Sequence, residues 1–157
     1  MIKVLFVCHG NICRSPMAMY LFQDMVDKKG QSNNFIIKSK ATSSEELGNG
    51  IYPPVRRILD NLGIDSSSHR ASKVTFDDFK YYDYIIGFDE ENMYNLNYLA
   101  KEYKNKVYLL SSFSGLNCDV YDPWYSRNFD KAYNDINNYL KDFYKYLLSN
   151  NLLLKWW

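Results

Sequence analysis

The chain of 157 residues has the length of one domain and is long enough to bury a hydrophobic core. Hydrophobic residues make up 46% and charged residues 24%, a composition typical of a soluble globular protein and not of a disordered one. The 19 Lys and Arg residues nearly balance the 18 Asp and Glu residues, and the resulting net charge of +1 argues against a protein that binds duplex DNA. We expect no nucleic-acid partner. A balanced total charge still permits a local pocket for an anion.

The N-terminal part of the chain predicts the opening of a βαβ unit. Ile2–Val7 is a nearly continuous apolar run with β-branched residues, which is typical of a strand buried in a parallel sheet. We expect a helix to begin at Ser15, a capping hydroxyl, with Pro16 as its first helical residue, and to end at Gly30. Phe35–Ser39 then predicts a second strand.

The rest of the chain continues the alternation of strands and helices. The predicted elements are a polar loop over 42–50, a helix over Pro53–Leu62, a strand over Tyr84–Phe88, a polar exposed helix over 90–104, a strand over Val107–Leu110, and a long C-terminal helix marked by Ile136, Leu140, Phe143 and Leu147. The sequence shows no internal repeat or linker. This pattern predicts one α/β domain over residues 1–157, with a ligand site at the carboxyl ends of parallel strands.

Cysteine usage and hydropathy predict a cytoplasmic protein. The three cysteines cannot form a closed disulfide framework, which favours a reducing compartment. The apolar run at the N-terminus is too short for a signal peptide, and no apolar stretch reaches the length of a membrane span, so we expect no membrane partner. The apolar tail Leu152–Trp157 is suited to pack against either the body of the protein or a partner.

The segment from Cys8 to Ser15 carries the main functional signal. Cys8 follows directly on the first strand, and five residues separate it from Arg14. The intervening loop runs into a helix N-terminus, where unpaired N–H groups and the helix dipole favour both an anion and the thiolate of Cys8. Arg14 can hold two oxygens of a phosphate in bidentate fashion. The pattern alone also fits an inert buried cysteine, but its strand–loop–helix context favours a nucleophile for phosphoryl transfer that needs no metal and no cofactor.

A proton donor for this reaction is predicted at Asp122. The phenolate or alkoxide that leaves in phosphoryl transfer needs a proton, which a carboxylic acid can supply. Asp122 precedes Pro123, which stiffens the loop, and then Trp124 and Tyr125, which could form the walls of a slot for an aromatic substrate. Alone, this segment would also fit an Asp-Pro turn with two packing aromatic residues. Together with the Cys8 loop, it favours the catalytic interpretation.

These two segments resemble the signatures of the low-molecular-weight protein tyrosine phosphatase family, and the resemblance extends from Ile2 to about Leu148. It implies a four-stranded parallel sheet flanked by helices on both faces, with a phosphate-binding loop after the first strand. It also implies hydrolysis of a phosphotyrosine-containing protein or an aryl phosphate through a cysteinyl-phosphate. Cys8 would be the nucleophile, Arg14 the phosphate clamp, and Asp122 the general acid and then the general base. We expect this enzyme to be a monomer.

The same resemblance implies supporting roles around the phosphate. Ser15 would donate a hydrogen bond that stabilises the Cys8 thiolate. Cys13 would trap the oxidised nucleophile as a disulfide, or else would only pack at the start of the helix. A lone histidine such as His69 is more often a surface loop residue, but its match to the family favours a structural role beside the loop. The remaining supporting residues are His9, Gly10, Asn11, Ile12, Ser39 and Asp89.

Two departures from the family pattern concern substrate preference. His9 stands where Leu is more common, and Glu45 stands where many members place an aromatic residue at the pocket rim. A carboxylate cannot stack on a substrate ring, and it repels an incoming phosphate. One hypothesis is therefore that Glu45 selects peptides with Lys or Arg near the phosphotyrosine. The alternative is a solvated carboxylate that takes no part in binding.

Rival functions on related loops fit the sequence less well. Arsenate reductases of this fold relay a disulfide to further cysteines in the middle of the chain, and this sequence has none between Cys13 and Cys118. Phosphoarginine phosphatases typically have Thr where this chain has Ile12. Phosphocysteine carriers lack equivalents of Arg14 and Asp122. A binding module without activity would not need both a nucleophile and an acid.

Overall fold

The computed structural model describes residues 1–150, so the tail Leu152–Trp157 and the prediction for its packing lie outside the described residues. Within residues 1–150, six α-helices and four β-strands follow one another in the order β1 (Ile2–Cys8), α1 (Arg14–Lys28), β2 (Phe35–Ala41), α2 (Pro53–Asn61), α3 (Phe76–Tyr81), β3 (Tyr84–Gly87), α4 (Glu90–Ala100), β4 (Val107–Leu109), α5 (Pro123–Ser126) and α6 (Phe129–Ser149). Short 3-10 segments cover Ser32–Asn34, Lys101–Lys106 and Leu110–Ser114. None of the helices in this part of the chain is long and apolar enough to cross a membrane.

The described strands form one parallel sheet in the order β2-β1-β3-β4, which confirms the predicted four-stranded parallel sheet. Successive side chains of β1 point to opposite faces of the sheet. Val4 and Phe6 pack in the core cluster that includes residues of α1 and α6. Leu5 and Val7 pack in a second cluster that includes residues of α3 and α4. Helices therefore flank both faces, as the family resemblance implies.

The strand order brings the ends of β1 and β3 together at one crevice. From β1 the chain passes through α1 to β2 on one side, whereas β3 pairs with β1 on the other side. The connections that leave the carboxyl ends of β1 and β3 therefore diverge, and ligands of open α/β sheets bind in the crevice at such a point. Cys8 ends β1 and Asp89 follows β3, so both residues lie at this crevice.

The first helix begins earlier than the sequence predicts, and Ser15 does not cap it. The helix α1 begins at Arg14, and Cys13 occupies the N-cap position without a side-chain cap. The Ser15 hydroxyl lies instead 3.0 Å from Sγ of Cys8. Pro16 fits inside the first turn because the N–H groups of that turn have no intrahelical acceptor.

The helix predicted over 90–104 is shorter than expected and is partly buried. Lys101 has a φ of +52°, a left-handed conformation in which the α-helix cannot continue, and the chain passes into a 3-10 segment. Asn92 and Leu96 of α4 are buried against β3. A Cβ atom at Gly87 of β3 would lie 3.1 Å from Cβ of Asn92 and 3.2 Å from Cδ1 of Leu96, so a larger residue would displace these side chains by a few tenths of an ångström.

The sequence analysis does not predict the two short helices α3 and α5, because neither is long enough to show a repeated apolar pattern. Thr75 and Asp78 form a capping box at the start of α3. Asp78 also accepts a hydrogen bond from Nζ of Lys40 at 3.0 Å, which joins α3 to β2. The helix α5 begins at Pro123 and is capped by Asp122. The bounds of the other predicted strands and of α2 agree with the structure within two residues.

Candidate active site

The loop between β1 and α1 surrounds a single point. Cys8 is the last residue of β1, and Arg14 is the first residue of α1. Between them, Asn11 has a φ of +59°, a left-handed conformation that Asn adopts more readily than most side chains. The N–H groups in the first turn of α1 lack intrahelical acceptors and lie at the same end as Cys8. Together with the helix dipole, they make this loop suited to hold an anion.

Two donors approach the sulfur of Cys8, which is only 3% exposed. The backbone N–H of Asn11 donates to Sγ at 3.3 Å, and Oγ of Ser15 lies 3.0 Å from Sγ. Oγ of Ser15 itself accepts a hydrogen bond from Nδ2 of Asn11 at 2.7 Å. Its proton is therefore free for the sulfur or for the carbonyl oxygen of Lys40 at 3.4 Å, and a charged sulfur is the stronger acceptor. This arrangement stabilises a thiolate.

A buried network holds Asn11 from behind. Its Nδ2 also donates to Oγ of Ser39 at 3.0 Å, and its Oδ1 accepts from the backbone N–H of Ser72 at 3.2 Å. Nε2 of His69 lies 2.8 Å from the carbonyl oxygen of Asn11, and because a carbonyl only accepts, we assign the proton to Nε2. Burial lowers the pKa of His69, and its hydrogen bond to Asn11 only partly offsets this effect. The neutral imidazole therefore supports the loop and does not enter the pocket.

The guanidinium of Arg14 has one edge fixed and one edge free. Its side chain is 2% exposed, and Nη1 donates to Oδ2 of Asp89 at 2.6 Å and to the carbonyl oxygen of Val120 at 2.8 Å. Nη2 lies 3.6 Å from Oδ2 of Asp122, and Nε has no hydrogen-bond partner in residues 1–150. Burial opposes the positive charge, but the Cys8 sulfur and the two carboxylates raise the pKa of Arg14 above its ordinary value. The Nε–Nη2 edge is thus left to bind two oxygens of a ligand.

Asp122 reaches the guanidinium from the loop after β4. Its Oδ1 accepts a hydrogen bond from the backbone N–H of Trp124 at 3.0 Å and so caps α5, in which Pro123 takes the first helical position. Its Oδ2 faces the free edge of Arg14 at 3.6 Å. The side chain is 23% exposed, so the carboxylate can exchange a proton with solvent. One oxygen therefore fixes the loop, and the other faces Arg14 at the hollow.

These groups surround a hollow of about 130 Å³. The predicted residues that line it are Cys8, His9, Gly10, Ile12, Cys13, Arg14, Glu45, Asp122, Trp124 and Tyr125. Other predicted residues hold the lining through hydrogen bonds: Asn11, Ser15, Ser39, His69 and Asp89. Glu46 also lines the hollow, and no local signal distinguishes it from its neighbour Glu45. Within residues 1–150, no group of three or more His, Cys, Asp or Glu side chains is arranged to hold a metal ion.

His9 lies between two carboxylates at the mouth of the hollow. Its Nε2 lies 3.0 Å from Oε2 of Glu45, and its Nδ1 lies 3.8 Å from Oε1 of Glu91. The two glutamate side chains are 70% and 71% exposed. Glu45 therefore lines the pocket, and its carboxylate binds His9 in addition to solvent.

Aromatic residues form another wall of the mouth. The ring of Trp124 lies 4.8 Å from that of Tyr52, measured between centroids. The guanidinium of Arg127 lies 5.4 Å from the Tyr52 ring, and Nη1 of Arg127 donates to the Tyr52 hydroxyl at 3.1 Å. Through these contacts the loop that carries Asp122 packs against Tyr52, the residue before α2. Tyr125 is 80% exposed and can contact a ligand.

Cys13 is a second thiol in the lining of the same hollow. It is free and only 4% exposed. Burial raises the pKa of the Cys13 thiol, and the nearby Cys8 raises it further. Cys13 is therefore a neutral thiol at physiological pH and does not compete with Cys8 as a nucleophile.

Comparison with known proteins identifies a family with this loop. The family model described as low molecular weight phosphotyrosine protein phosphatase matches residues 3–152. The chain belongs to this family. A family member of that name from Sus scrofa is 37% identical over 132 residues, which cover 82% of this chain and 83% of the relative. The crystal structure of the phosphatase YfkJ from Bacillus subtilis matches with a TM-score of 0.89 and 34% identity over 96% of both chains. SP-PTP, the low molecular weight protein tyrosine phosphatase from Streptococcus pyogenes, matches with a TM-score of 0.84 and 36% identity over 94% of this chain and 93% of its own.

Sequence reasoning missed several contacts in this low molecular weight phosphatase. The carbonyl oxygen of Val120 binds Arg14, the backbone N–H of Ser72 binds Asn11, and Glu91 faces His9. The first two contacts use backbone atoms, which any residue could provide. The third joins segments far apart in the chain. No local sequence signal marks any of them.

Proposed function

We propose that the protein is a protein-tyrosine phosphatase that hydrolyses phosphotyrosine through a cysteinyl-phosphate intermediate. The observation that carries this proposal is that Cys8 and Arg14 both line one hollow at a helix N-terminus, and that Nε of Arg14 has no hydrogen-bond partner in residues 1–150. A nucleophile and a bidentate oxyanion site are thereby available to the same tetrahedral group. The names of the relatives, which specify phosphotyrosine, support the choice of substrate.

In the first step, the loop amides and the free edge of Arg14 hold the phosphate dianion. The Cys8 thiolate attacks phosphorus and forms the S–P bond while the bond from phosphorus to the tyrosine oxygen breaks. Asp122, in its protonated form, transfers its proton to the departing phenolate. The backbone N–H of Asn11 and the hydroxyl of Ser15 lie within hydrogen-bond distance of the attacking sulfur.

In the second step, water attacks the phosphorus of the cysteinyl-phosphate. Asp122, now a carboxylate, takes a proton from this water, and the S–P bond breaks to release inorganic phosphate. The sulfur leaves as a thiolate, and the same hydrogen bonds from Ser15 and Asn11 stabilise it. Arg14 and the loop amides bind the equatorial oxygens throughout, so these residues supply the positive field that both transition states need.

The setting of the enzyme is part of the same proposal. We place it in the cytoplasm as a monomer over residues 1–157 that binds neither membrane nor nucleic acid. The free cysteines among the described residues support a reducing compartment. The balanced charge supports the absence of a nucleic-acid partner. Sedimentation and cell fractionation test these statements independently of catalysis.

The test compares aryl phosphates that differ in the leaving group. Cys8→Ser should abolish hydrolysis of p-nitrophenyl phosphate and of a phosphotyrosine peptide while still binding inorganic phosphate in calorimetry. Asp122→Asn should lower kcat by roughly 10²–10⁴-fold on phosphotyrosine, and by less on an ester whose leaving group needs little protonation. Cys118→Ser and Asp60→Asn, at exposed positions, serve as matched controls. Hydrolysis by Cys8→Ser above a few per cent of wild type would refute the mechanism.

A further inference from the structure

A second hollow adjoins the phosphate pocket on the side of α4. Its volume is about 210 Å³. It shares His9, Arg14, Asp122 and Tyr125 with the phosphate pocket and adds Asp89, Glu91 and Asn92. The two hollows are therefore neighbours, and His9 is one of the residues that lie between them.

The charge around these hollows is unexpected for a site that binds a dianion. Glu45 and Glu46 line the phosphate pocket, and Glu91 lines the adjoining hollow. Of the described lining residues, only Arg14 carries a fixed positive charge, and Asp89 already binds its Nη1. A phosphorylated ligand therefore meets an excess of exposed carboxylates before it reaches the loop. This repulsion is reduced if the ligand has a positive charge of its own near the phosphate.

The two ring nitrogens of His9 distinguish Glu45 from Glu91. A neutral imidazole carries one N–H. The distance of 3.0 Å from Nε2 to Glu45 is that of a hydrogen bond, whereas the 3.8 Å from Nδ1 to Glu91 is too long for one. In the neutral form His9 thus binds Glu45 and leaves the Glu91 carboxylate available. The two carboxylates lie at different nitrogens of one ring, so they do not converge on one point as metal ligands do.

The buried end of the pocket determines what can reach Glu91. Arg14 is buried and its Nε has no hydrogen-bond partner in residues 1–150, so in the proposed mechanism it holds the phosphate at the bottom of the first hollow. The residues that flank the phosphorylated tyrosine must then lie at the mouth. A Lys or Arg side chain is long and flexible enough to extend from such a flanking position into the second hollow. There it would meet Glu91 and the edge of Asp122.

We propose that the hollow beside His9 is a subsite for a Lys or Arg side chain that flanks the phosphotyrosine of the substrate protein, with Glu91 as its selective carboxylate. Glu45, held by His9, extends the same acidic rim along the phosphate pocket. This inference rests on the proposed phosphatase function and specifies its substrate class: phosphotyrosine in a basic sequence context. In the earlier hypothesis Glu45 alone selects the basic substrate. Here the selection involves residues from the ends of three strands: His9 after β1, Glu45 after β2 and Glu91 after β3.

The experiment uses paired phosphotyrosine peptides that differ only in Lys or Glu at the positions flanking the tyrosine. The wild type should have a higher kcat/KM on the basic peptide than on the acidic peptide. Glu91→Gln should lower the ratio of kcat/KM on the basic peptide to kcat/KM on the acidic peptide about two- to five-fold, the range for an exposed ion pair. Glu91→Lys should reduce it further and favour the acidic peptide. Glu102→Gln, an exposed glutamate in the 3-10 segment Lys101–Lys106, should leave the ratio unchanged. High salt should narrow the difference between the peptides.

Two results would overturn the subsite. One is equal kcat/KM for both peptides in the wild type. The other is a ratio that stays constant in Glu91→Gln and Glu91→Lys. Binding of the same peptides to Cys8→Ser, measured by fluorescence anisotropy, separates this inference from the proposed function. If the basic peptide binds more tightly but the wild type hydrolyses neither peptide, the proposed phosphatase function is refuted and the subsite is retained. If the wild type hydrolyses both peptides equally well, the subsite is refuted and the phosphatase function is retained.

Discussion

Removal of the Asp89 charge tests how far Arg14 depends on its carboxylate partner. Oδ2 of Asp89 accepts from Nη1 of Arg14 at 2.6 Å, and its Oδ1 accepts from the backbone N–H of Asn92 at 2.7 Å and caps α4. Asp89→Asn keeps a good N-cap and a neutral acceptor but removes the charge. Asp89→Ala removes the cap and the ion pair together. The two variants thus separate the charge from the hydrogen bonds.

The expected losses of stability differ because the Arg14 side chain is 2% exposed and that of Asp89 is 18% exposed. A hydrogen bond between charged groups contributes about 1.5–3 kcal/mol and a neutral one about 0.5–1.5 kcal/mol, so Asp89→Asn should lower the free energy of unfolding by about 1–2 kcal/mol. Asp89→Ala leaves a buried cation with the carbonyl oxygen of Val120 and, at 3.6 Å, the carboxylate of Asp122 as its partners. Removing one partner of a buried ion pair costs up to about 3–5 kcal/mol. The lost cap adds about 0.5–2 kcal/mol.

The assay is urea unfolding together with steady-state kinetics on a phosphotyrosine peptide. Asn128→Ala removes the cap of α6, where the Asn128 side chain accepts from the N–H of Lys131, and controls for the loss of a cap alone. Both Asp89 variants should also lower kcat/KM, by about 10–100-fold, because the phosphate-binding edge of Arg14 loses its fixed orientation. Equal stabilities for Asp89→Ala and Asn128→Ala, or full activity in Asp89→Ala, would refute the argument that this carboxylate holds Arg14 in place.

Three further predictions concern pH, oxidation and metals. Burial lowers the pKa of His69, so as the pH falls the unfolded chain takes up a proton at about pH 6.5, before the folded chain does. The free energy of unfolding should therefore fall below that pH, by up to about 1.4 kcal/mol per pH unit. In urea titrations at several pH values, His69→Gln should remove this part of the pH dependence. Peroxide should inactivate the wild type reversibly, and mass spectrometry should show a Cys8–Cys13 disulfide. The Cys13→Ser variant should stay inactive after thiol treatment, because without a second thiol Cys8 oxidises further. Chelators should leave the activity unchanged, because Arg14 and the loop amides supply the positive field.

Each of these predictions has an outcome that would contradict it. An equal pH slope for wild type and His69→Gln would mean that His69 does not resist protonation in the fold. Equal recovery of wild type and Cys13→Ser would reduce Cys13 to a packing residue. Loss of activity in a chelator, restored by one added metal, would require a cation in the phosphate pocket.

The parts of the fold that the sequence predicts are those with strong local patterns. The continuous apolar run of β1 and the helical spacing in α6 reflect burial, which selects the same residue types along a whole element. The loop after β1 is predictable for a different reason. A thiol, a guanidinium and a helix start must occur at a fixed spacing to act on one phosphate, so the chemistry appears as a short motif around Cys8 and Arg14.

The errors arise where a tertiary contact overrides a local preference. Ser15 has the residue type and position of a helix cap, but its hydroxyl lies beside the Cys8 sulfur, and the helix begins without a side-chain cap. The helix α4 ends at Ala100 because the next residue takes a left-handed conformation, although the polar pattern continues. Local propensity is a weak constraint compared with a buried hydrogen bond or a tight turn.

Selectivity at the mouth of the pocket was the least predictable property, because it belongs to no single segment. His9 follows β1, Glu45 follows β2, and Glu91 lies in the first turn of α4 after β3. A parallel sheet brings the carboxyl ends of its strands to one edge, so residues 36 positions apart, as His9 and Glu45 are, come within hydrogen-bond distance there. The β1 loop and Asp122 therefore identify the reaction, whereas the substrate preference depends on which side chains the other strand ends add around them. In this chain those additions are acidic, and a basic flank on the substrate is the complement that they require.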